Sequence, residues 1–239
     1  MADDNDSLKY ARYAIGEIVL VVIGILIALS INNWNENRKL KVEEQTYLEN
    51  IKTDLQLNVT ALNEFITSRE VSNKSAKSIL QYFEGEKAIN YLDFNKQSIN
   101  IMIWFPFEQN DNTFQELINS GKLSILSNKK IKNALQNIKS SFNKITFVEN
   151  EMQQDYETYL YEPYFTIADL NTSIKLIEIS SEKLKEVNQP QIDILLENQK
   201  FKNGFTLSIF NSDVLIEEYS LMLATTERLI NLIDSELKL

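Results

Sequence analysis

The feature that most constrains this chain is one uninterrupted apolar run near its N-terminus. Residues 18–29 are all apolar or glycine, and residues 14–31 contain a single charge, Glu17. As a helix rising ~1.5 Å per residue, a run of about 18 residues is about 27 Å long, close to the hydrocarbon thickness of a bilayer. The run therefore predicts a membrane-spanning helix. The same pattern also fits a buried core helix or a cleaved signal peptide.

The residues that flank the run are typical of a membrane interface. Tyr13 and Trp34 bracket it, and amphipathic rings of this kind favour the headgroup region, so both are predicted interface anchors. Two basic residues precede the run and three follow it, so the charge difference is too small to fix the orientation of the helix. We assign residues 1–12 to a polar tail, residues 13–34 to the transmembrane helix and residues 35–239 to one domain beyond it.

One face of the predicted span differs from the others. At 100° per residue, one stripe contains Glu17, Val21, Gly24, Ala28 and Ile31. The small residues Gly24 and Ala28 are four apart, a spacing that lets helix backbones approach closely in lipid. The stripe therefore predicts self-association of the span and a homo-oligomer. Glu17 on the same stripe fits either a carboxylate that snorkels to the interface or a proton or ion site inside the membrane.

Composition excludes several classes of function for the remainder of the chain. Five Gly and three Pro in 239 residues disfavour turn-rich folds and favour long helices. A net charge of −10 disfavours binding to nucleic acid and to anionic membrane surfaces. The absence of Cys and His excludes disulfides, thiolate and imidazole catalysis and the usual zinc and haem ligands. We therefore predict no cofactor, no metal and no catalytic residues.

The apolar spacing after the run predicts that the span continues directly into the first soluble helix. No Gly or Pro occurs between Gly24 and Gly85, and an apolar stripe of helical period extends to Phe83. Asn32–Asn33 and Ser72–Asn73 are the weakest points of this predicted helix. Gly85 is expected to end it, because a glycine readily adopts the left-handed conformation that follows many helices.

Two more long amphipathic helices are predicted, one from Lys129 and one over residues 201–237. In the last helix a broad apolar stripe includes a seven-residue repeat of Ile and Leu, and Glu217–Glu218 are expected to face water. The fold class is therefore all-α: one N-terminal transmembrane helix that continues into an up-down helical bundle. Three further carboxylates, Glu149, Glu151 and Asp155, are interpreted as a solvated charged face rather than a metal or acid–base site.

A short motif lies between the predicted helices. Asn112 or Thr113 is predicted to cap a helix that stops at Ser120–Gly121, where a glycine permits a positive φ. Ser127–Asn128 is predicted to cap the helix that follows. The motif is interpreted as a structural turn at Ser120 and Gly121 with no ligand.

Two stretches resemble the signatures of a known family. AIGEIVLVVIGILIALSINNWNENRK (residues 14–39) and TFQELINSGKLSILSNKKIKNAL (residues 113–135) resemble the two signatures of domain-of-unknown-function family 6090, single-span membrane proteins of Bacteroidota. The resemblance implies an inner-membrane anchor with a cytoplasmic N-terminus and a periplasmic C-terminal domain. The acidic tail of this chain departs from the more basic tail that is usual in the family. The resemblance implies no activity.

Together these observations predict a membrane-anchored, non-enzymatic scaffold or sensor that self-associates through its span. The lipid bilayer, further copies of the chain and other envelope proteins are its expected partners. Two alternatives stay open. The first is a subunit of an ion-conducting or proton-coupled assembly that uses Glu17. The second is an enzyme that uses paired carboxylates of the bundle.

Overall fold

A computed structural model describes residues 4–171, 173–174 and 189–238, with side chains from Ile15 onward. Its first element, helix α1, is Asp4–Phe83 and has 80 residues. At ~1.5 Å per residue it is about 120 Å long. The predicted continuity of the apolar run with the first soluble helix is confirmed, because neither Asn32–Asn33 nor Ser72–Asn73 breaks the helix. Gly85 has a φ of +71° and ends it as predicted.

The other elements are shorter, except for two long helices. In chain order they are α2 (Tyr91–Met102), α3 (Asn112–Asn119), a 3₁₀ turn (Leu123–Ile125), α4 (Lys129–Asp155), a π-helical turn (Tyr156–Tyr161), α5 (Glu162–Ile167), α6 (Gln189–Glu197) and α7 (Gln199–Glu236). The described residues contain no strand. The predicted all-α class, a long apolar N-terminal helix followed by a helical bundle, is confirmed.

The chain passes along the bundle four times, in alternating directions. After α1, the segment containing α2 and α3 returns to the start of the bundle, where Lys122 pairs with Glu43 at 2.8 Å. Helix α4 then runs outward beside α7, and α7 returns between α1 and α4. At the far end the rings of Phe83 and Phe201 meet, and at the near end Lys52 pairs with Asp234. The C-terminal end of α7 therefore lies beside the point where α1 enters the bundle.

The centre of the core follows one seam of α7. Its buried positions alternate by four and three residues over Phe201, Phe205, Ser208, Ser212, Leu215, Tyr219, Met222, Thr226, Leu229 and Ile233. This spacing is that of helices packed at a small crossing angle. The predicted seven-residue repeat flanks the seam and is half-buried. Glu218 was wrongly predicted to face water: it is buried and pairs with Lys144 of α4 at 2.5 Å.

Some helices are capped by a neighbouring residue in the sequence, and others by a side chain from another helix. Asn128 caps α4 as predicted, since its side chain accepts a hydrogen bond from the Lys130 N–H at 2.9 Å. The prediction for α3 was wrong, because its N-cap is Asp111, which makes no side-chain capping bond. The Thr113 N–H instead donates to Asp54 of α1 at 2.9 Å. A capping group supplied by another helix leaves no local signal in the sequence.

Candidate functional site

The first candidate region is the exposed apolar segment, residues 15–31 of α1. It belongs to the one described helix that is long and apolar enough to cross a membrane, and none of its most apolar window is buried inside the molecule. Leu20, for example, is 74% exposed. A core helix of a soluble domain would be mostly covered by its own fold, so that alternative does not fit this segment.

The predicted stripe of this segment is unoccupied within the chain. Glu17, Val21, Gly24, Ala28 and Ile31 are all exposed. A Cβ added at Gly24 would meet no atom within 4 Å. In the described part of the chain Glu17 has no hydrogen-bonding or ion-pair partner. The five residues therefore form one continuous face that is available to lipid or to another helix.

The stalk, residues 32–42, connects the apolar segment to the bundle. Trp34 is 65% exposed, and the Arg38 guanidinium lies over its ring at 5.8 Å. Tyr13, the other predicted anchor, lies outside the described side chains. Apart from a half-buried Asn35, residues 32–42 are exposed; burial against the bundle begins with Glu43, and Leu48 is only 1% exposed. Trp34 thus lies between the apolar segment and the first residue that the bundle covers.

The second candidate region is a buried polar site between α1, α4 and α7. Glu149 is 3% exposed, and its Oε1 accepts hydrogen bonds from the Phe107 N–H at 2.8 Å and the Tyr219 hydroxyl at 2.6 Å. The interpretation of Glu149 as a solvated carboxylate was therefore wrong. Glu149 lies four residues after Ile145 and three before Met152, both of which are buried, so its place on the core stripe was the signal in the sequence.

Arg69 supplies the positive charge of this buried site. It is 3% exposed, its Nη1 donates to the Met152 sulfur at 3.4 Å, and its guanidinium lies 5.8 Å from the Trp104 ring. Its Nε has no hydrogen-bond partner among the described residues. Between these two described residues, Arg69 and Glu149, there is no direct ion pair, so the cation acts on the carboxylate only at a distance.

Burial controls the protonation of the groups around Arg69. It raises the pKa of Glu149 above the ordinary value of 4.5, although hydrogen bonds from Tyr219 and Phe107 and the charge of Arg69 oppose the change. Burial also raises the pKa of Tyr219, and the neighbouring carboxylate raises it further. Tyr219 therefore remains a hydrogen-bond donor at neutral pH.

The polar site continues into the π-helical turn. Tyr156 is the first residue of this turn, and its hydroxyl lies 2.7 Å from the Ser208 Oγ. Trp104 meets the Tyr156 ring edge-on at 6.3 Å. Together Trp104 and Phe107 hold the extended segment after α2 against the core. The site therefore ties an irregular segment to three helices, and it contains one buried carboxylate rather than a close pair.

The second predicted motif is a corner at the start of the bundle. Gly121 has a φ of +70°, and the Ser120 hydroxyl donates to the Glu116 carbonyl at 2.7 Å. Lys122 follows the turn directly and pairs with Glu43 of α1. Glu116 itself accepts a hydrogen bond from the Tyr47 hydroxyl at 3.0 Å. The turn thus fastens the connector between α3 and α4 to α1.

The described residues contain no group of three or more Asp, Glu, His or Cys that could hold a metal ion. One groove, with a volume of about 510 Å³, lies along α1 beside α2. Its lining contains one ionisable side chain, Glu64, among Ser, Thr, Asn and Val. The exposed face of residues 15–31 and the buried site around Glu149 are therefore the two regions with distinctive chemistry.

The fold and these regions define a helical bundle carried by one helix that is long and apolar enough to cross a membrane. The model of a family of unknown function, DUF6090, matches residues 17–231, so the chain belongs to that family. The match begins at Glu17, includes the corner at Ser120–Gly121 and ends within α7. No curated protein and no solved structure matches the chain.

Proposed function

We propose that this protein is a membrane-anchored helical scaffold or sensor that self-associates through its span. The observation that carries the proposal is the stripe on the exposed apolar segment. The small residues Gly24 and Ala28 lie near its centre, and no other part of the described chain covers it. The proposal places the span in the inner membrane with the tail in the cytoplasm and the bundle in the periplasm, as the family resemblance implies.

A bilayer accounts for an apolar surface that the bundle leaves uncovered. Soluble monomers rarely expose contiguous apolar patches larger than a few hundred square ångströms. Exposing apolar surface to water costs about 25 cal/mol per Å², and the segment is exposed around its whole circumference. Its length matches the hydrocarbon core, and Trp34 follows it at the position of an interface anchor.

The stripe has the spacing of a helix–helix contact. Glu17, Val21, Gly24, Ala28 and Ile31 are separated alternately by four and three residues, the repeat of left-handed helix pairs. Gly24 and Ala28 let two backbones approach closely, which strengthens packing in lipid where no hydrophobic force drives association. A second copy of the span is therefore the partner that we propose for this face.

Continuity of α1 supports a scaffold or sensor. The helix is unbroken from Asp4 to Phe83, and α7 packs along its bundle part. A rotation or shift of the span would therefore move the bundle as one unit. Such rigid-body movement is a common way in which signals pass between sites.

The test is a pair of double variants in the purified full chain. Gly24→Ile with Ala28→Ile places bulk in the stripe, whereas Val22→Ile with Leu26→Ile changes the opposite face and serves as the control. Light scattering in mild detergent measures the mass. We expect an oligomer for the wild type and the control, and a monomer for the stripe variant. A monomeric wild type, or a stripe variant that keeps the oligomer mass, contradicts the proposal.

A second candidate is a proton-coupled or ion-conducting assembly. It is favoured by Glu17, an ionisable side chain on the same stripe with no partner in the described chain. In a self-associated span the Glu17 side chains of several copies would face one another. Proton flux into vesicles containing the protein, compared between wild type and Glu17→Gln, tests this candidate. Flux that the substitution leaves unchanged contradicts it.

A further inference from the structure

The end of the bundle nearest the stalk has a charge opposite to that of the rest of the molecule. We call this end the base and define it as residues 34–44, 120–130 and 236–238. The three segments meet there: Lys122 pairs with Glu43, the Ser127 N–H donates to Glu44, and Asn128 donates to Glu236 at 2.6 Å. A groove of about 460 Å³ lies between them.

The charge count shows the contrast. The base contains seven basic and four acidic residues, whereas the remainder of the chain contains 17 basic and 30 acidic residues. The net charge of −10 is therefore distributed unevenly along the molecule. The expectation from net charge alone, that an anionic membrane surface is disfavoured, does not hold for this end.

Several basic side chains of the base are available for a partner. Lys129 and Lys130 begin α4, are exposed, and make no ion pair with any residue in the described ranges. Arg38 lies on the exposed stalk with its guanidinium over the Trp34 ring, and it makes no ion pair with another described residue. Within the described ranges, these three cations therefore do not neutralise an acidic group.

The position of the base fits the headgroup layer. Residues 37–44, which line or flank the groove, follow Ile31 by 6 to 13 positions, which places them about 9–20 Å beyond the apolar segment along the helix. The polar layer on each side of the hydrocarbon core is about 5–8 Å thick. The extended side chain of Arg38, about 10 Å beyond the apolar segment, therefore reaches this layer. A tilt of the helix would bring Lys129 and Lys130, which lie near the level of Glu44, toward the same lipid phosphates.

We propose that the base docks on anionic lipid headgroups of the leaflet from which α1 emerges. The inference rests on the proposed membrane span and adds a second membrane contact, made by Arg38, Lys129 and Lys130. Juxtamembrane basic residues attract anionic lipids within a Debye length of the surface. Docking at the base would fix the tilt of the bundle relative to the bilayer, which the single stalk helix leaves open.

The test uses the full chain in nanodiscs that contain either phosphatidylcholine alone or 40% phosphatidylglycerol. A nitroxide attached to Ser124→Cys reports proximity to a small fraction of nickel-chelating lipid. We expect clear broadening of the nitroxide signal with phosphatidylglycerol, loss of most of that broadening in 0.5 M salt, and little broadening with phosphatidylcholine alone. Equal broadening in the two lipids, or no effect of salt, overturns the inference.

Charge reversal provides a matched control. Lys129→Glu with Lys130→Glu should raise the phosphatidylglycerol fraction needed for half-maximal broadening at least threefold. Lys74→Glu with Lys77→Glu makes the same change of charge at exposed positions of α1 nearer the far end of the bundle, and should leave it unchanged. Equal effects of the two pairs overturn the inference. If the protein fails to enter nanodiscs at all, the proposed span is wrong and this inference falls with it; inserted protein without lipid-dependent broadening overturns the inference alone.

Discussion

Helix α1 contains two regions that share one helical backbone but differ in the pattern of their side chains and in what covers them. Over residues 15–31 nearly every side chain is apolar, and all of them are exposed. Over residues 48–83 an apolar stripe of helical spacing is buried against the bundle, as at Leu55 and Leu62. The backbone is one continuous helix throughout. The difference shows that the pattern around the helix, not its helical propensity, decides what covers each part.

The two regions therefore obey different packing rules. In the bundle, water drives apolar side chains together, and each fully buried Leu contributes about 1.5–3 kcal/mol. In a bilayer, lipid is as apolar as the side chains, so association depends on close packing and on polar groups. With the proposed span in a bilayer, this contrast accounts for the large residues that α1 presents to the core of the bundle and for Gly24 and Ala28 on the stripe of the apolar segment.

The largest expected effect comes from the same substitution made in each region. Leu55→Ala removes a side chain that is 3% exposed and should lower the free energy of unfolding of the bundle by about 2–5 kcal/mol. Leu26→Ala lies in the exposed apolar segment and should leave that free energy unchanged. Denaturant titration of the detergent-solubilised protein, followed by far-UV circular dichroism, measures both. Equal losses would remove the distinction between the two regions.

A smaller effect is expected from glycine substitution. Gly204 of α7 lies against the π-helical turn, and an added Cβ would come within 2.5 Å of Leu160 and 2.8 Å of the Tyr159 carbonyl oxygen. Gly204→Ala should therefore destabilise the bundle by about 1–3 kcal/mol. Gly16→Ala is the control, since a Cβ there meets nothing within 4 Å. Thermal unfolding of the two variants should differ; indistinguishable midpoints would show that α7 does not pack this closely.

The smallest effect concerns the buried carboxyl of the bundle. Because burial raises the pKa of Glu149, the folded protein retains this proton to a higher pH than the unfolded chain. The protonated carboxyl of Glu149 therefore contributes to the stability of the folded protein. This contribution is fully present below the ordinary pKa of 4.5 and is lost as pH rises through the pKa of the folded state. Relative to Glu149→Gln, the wild type should lose stability between pH 4 and pH 7.

Unfolding free energies measured across this pH range test the expectation. Glu151→Gln, at an exposed position of α4, is the control and should follow the wild type in parallel. If the difference between wild type and Glu149→Gln is independent of pH, the carboxyl of Glu149 is not desolvated in the folded protein.

Features encoded locally could be predicted from the sequence. The scarcity of Gly and Pro, the change from a continuous apolar run to a helical stripe, and Gly85 together specify α1 and its end. Asn128 likewise caps α4 through its own backbone. The exposed stripe that includes Glu17 also follows directly from a 100° repeat, so the first candidate region is readable without a structure.

Features that depend on packing between distant segments could not be predicted. Asp54 caps α3 from another helix, and Arg69 meets Trp104 and Met152 only after the chain has folded. Residue type alone does not show whether a Glu is buried. Only the position of Glu149 on the core stripe, between Ile145 and Met152, separates it from the more exposed carboxylates of α4. The unequal distribution of charge likewise emerges only when the fold brings the three segments of the base together.

In the proposed arrangement, the bilayer covers residues 15–31, and the rest of α1 meets water or the bundle. The chain contains no Cys, so single cysteines can be introduced one at a time. Val22→Cys and Leu26→Cys lie opposite the stripe, and Val42→Cys lies on the exposed stalk. In permeabilised membranes, a water-soluble maleimide should label position 42 rapidly and positions 22 and 26 only after detergent is added. Equal labelling of all three positions before detergent would contradict the proposal that a bilayer covers residues 15–31.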